Sequence, residues 1–279
     1  NLQAWVSAGM KQGAFTSQTD MLYSESDAFY MYQSEHDKKV YTKEANPFLP
    51  HDITLTGAAE RSPMGIEGTE HISVAQKFYY EPSDKLSLQV YGSMFFLNSY
   101  DLIQDMTFSQ SRDFMAGMKA RYDVKNWFSV NLSLHGDFYD RFKRHERIDE
   151  RKKVYKSRIL EPRLTLTSTY FAAHSMIFGV EHTTDALTSD RFVNRKMITR
   201  SLHETEYFLQ DEWTPNDHWM LSTGVRTNFS KAFGFMWMPK IAVKFSPDNH
   251  WAIRANYSMG YRAPSIKELF FNWDHLGMF

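Results

Sequence analysis

The chain has no cysteine among its 279 residues. A disulfide framework is therefore excluded, and so are thiolate zinc and iron–sulfur sites. No apolar run approaches the roughly 18 residues that a membrane-crossing helix needs. No charged-then-apolar leader opens the sequence, which says little for a mature or partial chain. Neither sign of charge prevails: Lys+Arg number 32 and Asp+Glu 33, a formal net charge of −1. That balance argues against nucleic acid as a partner, because such binders are usually basic. Enzyme signatures are missing too. There is no Gly-rich phosphate loop, no His-Glu-x-x-His and no Gly-x-Ser-x-Gly elbow. Carboxylates are scattered without a repeated spacing. A Ser/His/Asp set meeting on loops is the one enzymatic alternative, and the expectation is no enzyme.

Aromatics, by contrast, are abundant: Phe 22, Tyr 15 and Trp 7. An aromatic-rich, cysteine-free chain suits a β-barrel in a membrane, where strand residues alternate between lipid and water and aromatic girdles mark the interfaces. The alternation is explicit. Trp251, Ile253, Ala255, Tyr257, Met259 and Tyr261 share one face, while Ala252, Arg254, Asn256, Ser258 and Gly260 share the other. Ile241, Val243 and Phe245 alternate in the same way with Lys240, Ala242 and Lys244. So do Phe128, Val130, Leu132 and Leu134 with Ser129, Asn131, Ser133 and His135. Further segments lie near 86–91, 116–122 and 175–181.

Connections sort by length. Tight ones of about four residues lie at 81–84, 123–126, 171–174, 214–217 and 246–249, most with Pro, Asp or Asn. Long ones lie near 43–68, 100–110, 143–156, 187–201, 230–236 and from 262 on. One end of the sheet thus carries tight turns and the other large loops, the asymmetry of outer-membrane barrels. Trp127, Trp219 and Trp251, just after tight turns, are expected at one membrane interface. The predicted fold is all-β, an antiparallel up-and-down transmembrane β-barrel, present in part as about 10–12 strands. A soluble β-sandwich is the competing reading, but its strands run nearer 5–6 residues. Residues 4–10 and 28–32 look strand-like without a clear pairing, and 265–270 suit one short helical turn.

Lys77, Lys119, Arg121, Arg226, Lys240, Lys244 and Arg254 must point into the lumen, since a charge facing lipid costs about 2–4 kcal/mol at the midplane. Mutual pairing in a wet or plugged lumen is the simple reading, and attraction of an anionic ligand the functional one. The run Arg141-Phe142-Lys143-Arg144-His145-Glu146-Arg147, with Arg151-Lys152-Lys153, reads as a solvated loop. Contact with lipopolysaccharide phosphates or an anionic ligand is its alternative. Of the 11 histidines, only His275 sits among aromatic and apolar residues: Phe270, Phe271, Trp273, Leu276, Met278 and Phe279. Such surroundings suit a flat iron-bearing ring with an axial imidazole.

The stretch 251–269, through Gly260-Tyr261-Arg262-Ala263-Pro264-Ser265, resembles the strand-and-loop signature of TonB-dependent outer-membrane receptors, the FRAP box, here with Tyr in first place. Residues 207–213, with Trp219 and Gly224-Val225-Arg226, also look like that family's barrel. The resemblance covers about residues 200–279. It implies a 22-stranded barrel in the outer membrane of a Gram-negative cell, an N-terminal plug, and uptake driven by the TonB complex. Residues 1–279 are then part of the barrel domain, about strands two or three to thirteen, without the plug and the closing strands. Haem receptors of the family carry a histidine after the box, which His275 matches. Their following Asn-Pro box is not in this sequence. On that resemblance His275 is the candidate haem-iron ligand, and Tyr261 and Arg262 are haem-binding candidates, with Arg262 facing a propionate. Ala263 and Pro264 shape the exit. Haem is expected as transported ligand rather than as a resident cofactor, with a haemophore lipoprotein and outer-membrane lipid or lipopolysaccharide as further partners. A ferric-siderophore or cobalamin receptor, and a porin-like structural barrel, are the alternatives.

Overall fold

The structure is a computed structural model that describes residues 1–31, 39–41, 53–55, 64–100, 107–145, 150–192, 196–248 and 250–271. The strands are β1 (Leu2–Gln12), β2 (Phe15–Ser26), β3 (Phe29–Met31), β4 (Lys39–Tyr41), β5 (Ile53–Leu55), β6 (Met64–Ile66), β7 (Gly68–Ser83), β8 (Leu86–Tyr100), β9 (Thr107–Lys125), β10 (Phe128–His145), β11 (Glu150–Ser168), β12 (His174–Ser189), β13 (Ile198–Asn216), β14 (Trp219–Ser230), β15 (Gly234–Phe245) and β16 (Ile253–Ser258). One helix follows, α1 (Ile266–Phe270). Twelve strands form a single antiparallel sheet in the order β1-β2-β7-β8-β9-β10-β11-β12-β13-β14-β15-β16. Each strand pairs with its predecessor in sequence, the up-and-down pattern of a barrel wall. The exception is the step from β2 to β7, where the small pairs β3-β6 and β4-β5 are inserted.

The register decides which residues share a face. On β10, Leu132 lies opposite Ala120 of β9 and Leu164 of β11. The same face runs on through Val90 and Met118, and through Phe178, Leu209, Val225 and Pro239. It ends where Ile241 meets Tyr257 and Phe245 meets Ile253. Leu132, Val90, Phe114, Leu209, Ile241 and Ile253 are all exposed there. No second sheet covers that face among the described residues, so the β-sandwich reading fails. An apolar face this wide belongs against hydrocarbon. The opposite face carries all seven predicted cations. Lys77 aligns with Tyr91, Lys119 with Ser133, Arg121 with Asn131, Arg226 with Met238, Lys240 with Ser258, and Lys244 with Arg254.

The tight ends fall where the turn residues predicted them. Trp127, Trp219 and Trp251 are exposed at that end, and Trp219 packs on Phe245 at 4.4 Å between ring centroids. One tight turn went unrecognised in the sequence: Gly13, at φ 58°, joins β1 to β2. Glycine is favoured there because a side chain clashes in that left-handed region. Strand β2 itself hides its period, since Thr16, Ser17, Gln18, Thr19 and Asp20 are polar on both faces.

At the other end the long connections are shorter than expected. β10 continues to His145 and β11 starts at Glu150, so most of the predicted loop 143–156 is strand. β9 likewise begins at Thr107, β12 ends at Ser189, and β15 begins at Gly234. Above the hydrocarbon both faces of a strand meet water, so polarity no longer marks where the ladder stops.

Candidate functional site

The stretch after β16 starts with a lost hydrogen bond. Met259 N–H donates to Pro239 O at 3.0 Å. Pro239 has no N–H to complete the pair, and a ladder ends readily at such a position. The chain leaves the sheet there as Gly260-Tyr261-Arg262-Ala263-Pro264 and turns at Ser265. Ser265 caps α1, its Oγ accepting from Glu268 N–H at 3.3 Å. Glu268 returns the bond, accepting from Ser265 N–H at 2.8 Å and from Ser265 Oγ–H at 2.9 Å. This is a capping box closed on itself. Arg262 Nη2 donates to the same carboxylate at 2.6 Å. Together the Ser265 backbone N–H, the Arg262 guanidinium and the Ser265 hydroxyl lower the Glu268 pKa to about 2.

α1 is pinned to the concave face by Ile266, which is 1% exposed. It packs with Leu187, Phe192 and Leu202, flanked by Tyr155, Ile198, Phe233 and Phe271. Phe192 meets Phe270 and Phe271 edge-on at 6.3 and 5.2 Å. Arg200 lies 5.1 Å from the centre of the Phe270 ring, and Lys267 lies 5.0 Å from that of Tyr155. Beside this cluster opens a cavity of about 350 Å³, lined by Asp113, Asp137, Tyr139, Arg141, Tyr155 and Lys267 among others. The Asp113 Oδ1 atom there is buried without a hydrogen-bond partner in the protein. Water, a ligand or another polar group fits such an atom.

Lower on the same face the charges pair with one another. Arg163 meets Glu181 at 3.3 Å and Arg226 meets Glu206 at 3.3 Å. Asn228 Nδ2 donates to Glu204 at 2.8 Å, Arg121 meets Asp123 at 3.1 Å, and Lys240 donates to Gln210. The simple reading of those cations as a mutually paired wet lining therefore holds for Arg121 and Arg226.

Of the predicted site residues, Tyr261, Ala263 and Pro264 are half-buried at the exit and Arg262 is exposed. Arg262 is engaged by Glu268, so a propionate would have to share it. His275 lies outside the described residues. Asp113, Asp137, Tyr139, Tyr155 and Lys267 were not singled out from the sequence. Their shared feature is position on the inward parity of three neighbouring strands plus α1, legible only once the register is known.

The model of the family described as "TonB dependent receptor-like, beta-barrel" matches residues 22–278. The chain belongs to that family. Its wall is accordingly an outer-membrane wall. The iron-regulated outer membrane virulence protein of Vibrio cholerae is 25% identical over 153 residues, covering 53% of this chain and 23% of that protein. Among solved structures, a mutant ferric enterobactin receptor (PfeA) of Pseudomonas aeruginosa superposes with a TM-score of 0.72 at 12% identity, over 94% of this chain and 42% of that one. The siderophore receptor PirA of the same species gives 0.67 at 9%, over 95% and 40%. At these identities the superpositions speak for the TonB-dependent receptor fold alone. The chain spans less than half the length of each of these proteins.

Proposed function

We propose that this chain is part of the barrel of a TonB-dependent receptor that imports an iron-bearing small ligand across the outer membrane. The observation that carries the reading is the exit segment. It is a FRAP-like stretch that leaves the wall at Pro239 and seats α1 on the concave side, beside a polar cavity. Family membership and an iron-regulated relative support it. Ferric siderophore is the first ligand class, in keeping with the siderophore and ferric enterobactin receptors that share the fold. The TonB complex supplies the energy in this reading.

Haem is the second reading. One sequence observation favours it: His275 follows Tyr261-Arg262-Ala263-Pro264 within an aromatic stretch. His275 would then ligate the iron, with Tyr261 beside it and Arg262, partly shared with Glu268, near a propionate. Deleting the gene in an iron-starved host and restoring growth with ferric siderophores or haem separates the readings. Loss of growth on a ferric siderophore alone supports the first. Loss on haem, together with a Soret change abolished by His275→Ala, supports the second. Unaltered growth on every iron source overturns both.

A further inference from the structure

Near its tight-turn end the wall points one carboxylate outward. On β13 the outward positions run Trp213, Asp211, Leu209 and Tyr207, and Asp211 lies opposite Met176 of β12 and Thr223 of β14. Along β12 to β15 it is the single outward carboxylate among the described residues. The arginines and lysines of those strands, Arg200, Arg226, Lys240 and Lys244, all lie on the other face. Around Asp211 the outward face is otherwise apolar, with Phe178, Leu209, Leu221 and Ile241 nearby. An ionisable side chain facing lipid is costly and calls for a partner.

Its height is that of a headgroup. The turn at 214–217 is a tight one, and tight turns lie on the periplasmic side. Trp213 and Trp219, exposed at 40% and 46%, mark the interface there. Asp211 lies two residues further in, about 7 Å along the strand, or about 5 Å in height at a tilt near 40°. Its side chain meets His174, the first residue of β12, whose Nδ1 donates to Asp211 Oδ2 at 2.8 Å. The imidazole stacks on Trp213 at 5.9 Å between ring centroids. With Nδ1 engaged, the Nε2 edge of the ring is left for another group. Asp211 Oδ1 is buried without a hydrogen-bond partner in the protein. The side chain as a whole is 26% exposed, so the leaflet reaches its open edge, and rotation about Cβ–Cγ exchanges the two oxygens.

We propose that Asp211 and His174 hold the headgroup of an aminophospholipid in the periplasmic leaflet. Its primary ammonium sits on the Asp211 carboxylate. Its phosphate accepts from His174 Nε2, which carries a proton in this complex. Its acyl chains lie on Phe178, Leu209 and Val225, toward the middle of the membrane. Three features select this occupant. The site offers one acidic and one basic group, the complement of a single zwitterionic headgroup. A primary ammonium brings three N–H donors, which suits a carboxylate with one oxygen unpaired. The apolar band begins at the next rung, so headgroup and chains of one molecule are met together. An anionic headgroup without an amine would instead bring like charge to Asp211.

The proposal rests on the assignment of faces and is independent of which iron ligand is imported. Its test uses the full outer-membrane receptor purified in detergent and read by native mass spectrometry. The titrants are phosphatidylethanolamine, phosphatidylglycerol and phosphatidylcholine with the same acyl chains. Phosphatidylethanolamine is expected to bind about tenfold tighter than the other two, since one has no ammonium and the other an ammonium without N–H. Asp211→Asn, close to isosteric, should erase that preference. Glu212→Gln, on the lumen face of the same strand, should keep it. His174→Phe, which retains a ring on Trp213 but no nitrogen, should weaken all three lipids. Equal affinities in the parent overturn the proposal, as does a preference that survives Asp211→Asn or is lost in Glu212→Gln, or a parent-like His174→Phe. Full competition by millimolar glycerophosphoethanolamine, a headgroup without chains, overturns it too. So does a receptor dimer that Asp211→Asn dissociates, which would make a second copy the occupant.

Discussion

Replacing Leu132 by glutamate places a carboxylate midway up the apolar band, flanked by Ala120 and Leu164 with no cation opposite. Leu132 is 49% exposed on that face, so what surrounds the new charge is lipid. A charge there costs a few kcal/mol near the midplane, less for an acid than for arginine. About 2 kcal/mol is expected, or roughly thirtyfold in the folded-to-unfolded ratio. The next residue provides the control. Ser133→Glu adds the same group on the other face, between Lys119 and Arg163, its direct cross-strand partners. An opposite-charge pair across strands contributes roughly 0.2–1 kcal/mol, so that variant should be neutral or slightly stabilised. Outer-membrane abundance and the denaturant midpoint in lipid vesicles read both. Equal losses in the two variants, or a larger loss for Ser133→Glu, would refute the assignment of faces on which everything above depends.

Three further outcomes follow from the exit segment and the lumen. The Glu268 pKa is lowered from its ordinary 4.5 to about 2, so the capping box is at full strength above the ordinary value and is lost as pH falls toward about 2. A fluorophore on Leu269→Cys, unique in a cysteine-free chain, should report a fixed α1 at pH 5 and a released one only below about pH 3; release at pH 5 would contradict the assignment. Ile266→Ala empties the centre of the Leu187/Phe192/Leu202 cluster at about 2–5 kcal/mol. Because this cluster holds only α1 to the wall, limited proteolysis should cut within 259–271 while the barrel survives. Gly179→Ala sets a methyl 2.1 Å from Phe208 Cζ, forcing a ring that lies under Arg163 and Arg226 to move. About 1–3 kcal/mol of destabilisation is expected by thermal melting, and an unchanged midpoint would mean that the ring is not held there.

The wall was legible because lipid enforces a strict two-residue period. Leu132, Ile241 and Ile253 cannot turn inward, nor Lys119 and Arg254 outward, so parity alone assigns the faces. The tight ends were legible through Pro82, Asp123, Asn126, Pro215 and Pro247. The period fails where lipid does not reach: β2 is polar on both faces, and the upper thirds of β9 to β12 stand in water, so their ladder was read as loop. The site was legible as sequence only at 261–264. The cavity depends on Asp113, Asp137, Tyr139, Tyr155 and Lys267 converging from β9, β10, β11 and α1. Such convergence is set by register and by the inward path after Pro239, neither of which leaves a local pattern.

Strands of 18 and 19 residues, such as β10 and β11, rise about 45 Å at a tilt near 40°. About 20 Å of that height stands above the apolar band as a rigid collar, stiffened by the same ladder as the buried part. A rim built this way does not close by bending. In the importer proposed above, closure after ligand capture therefore falls to parts other than these strands. In that reading the collar sets the height above the apolar band at which a ligand is first met.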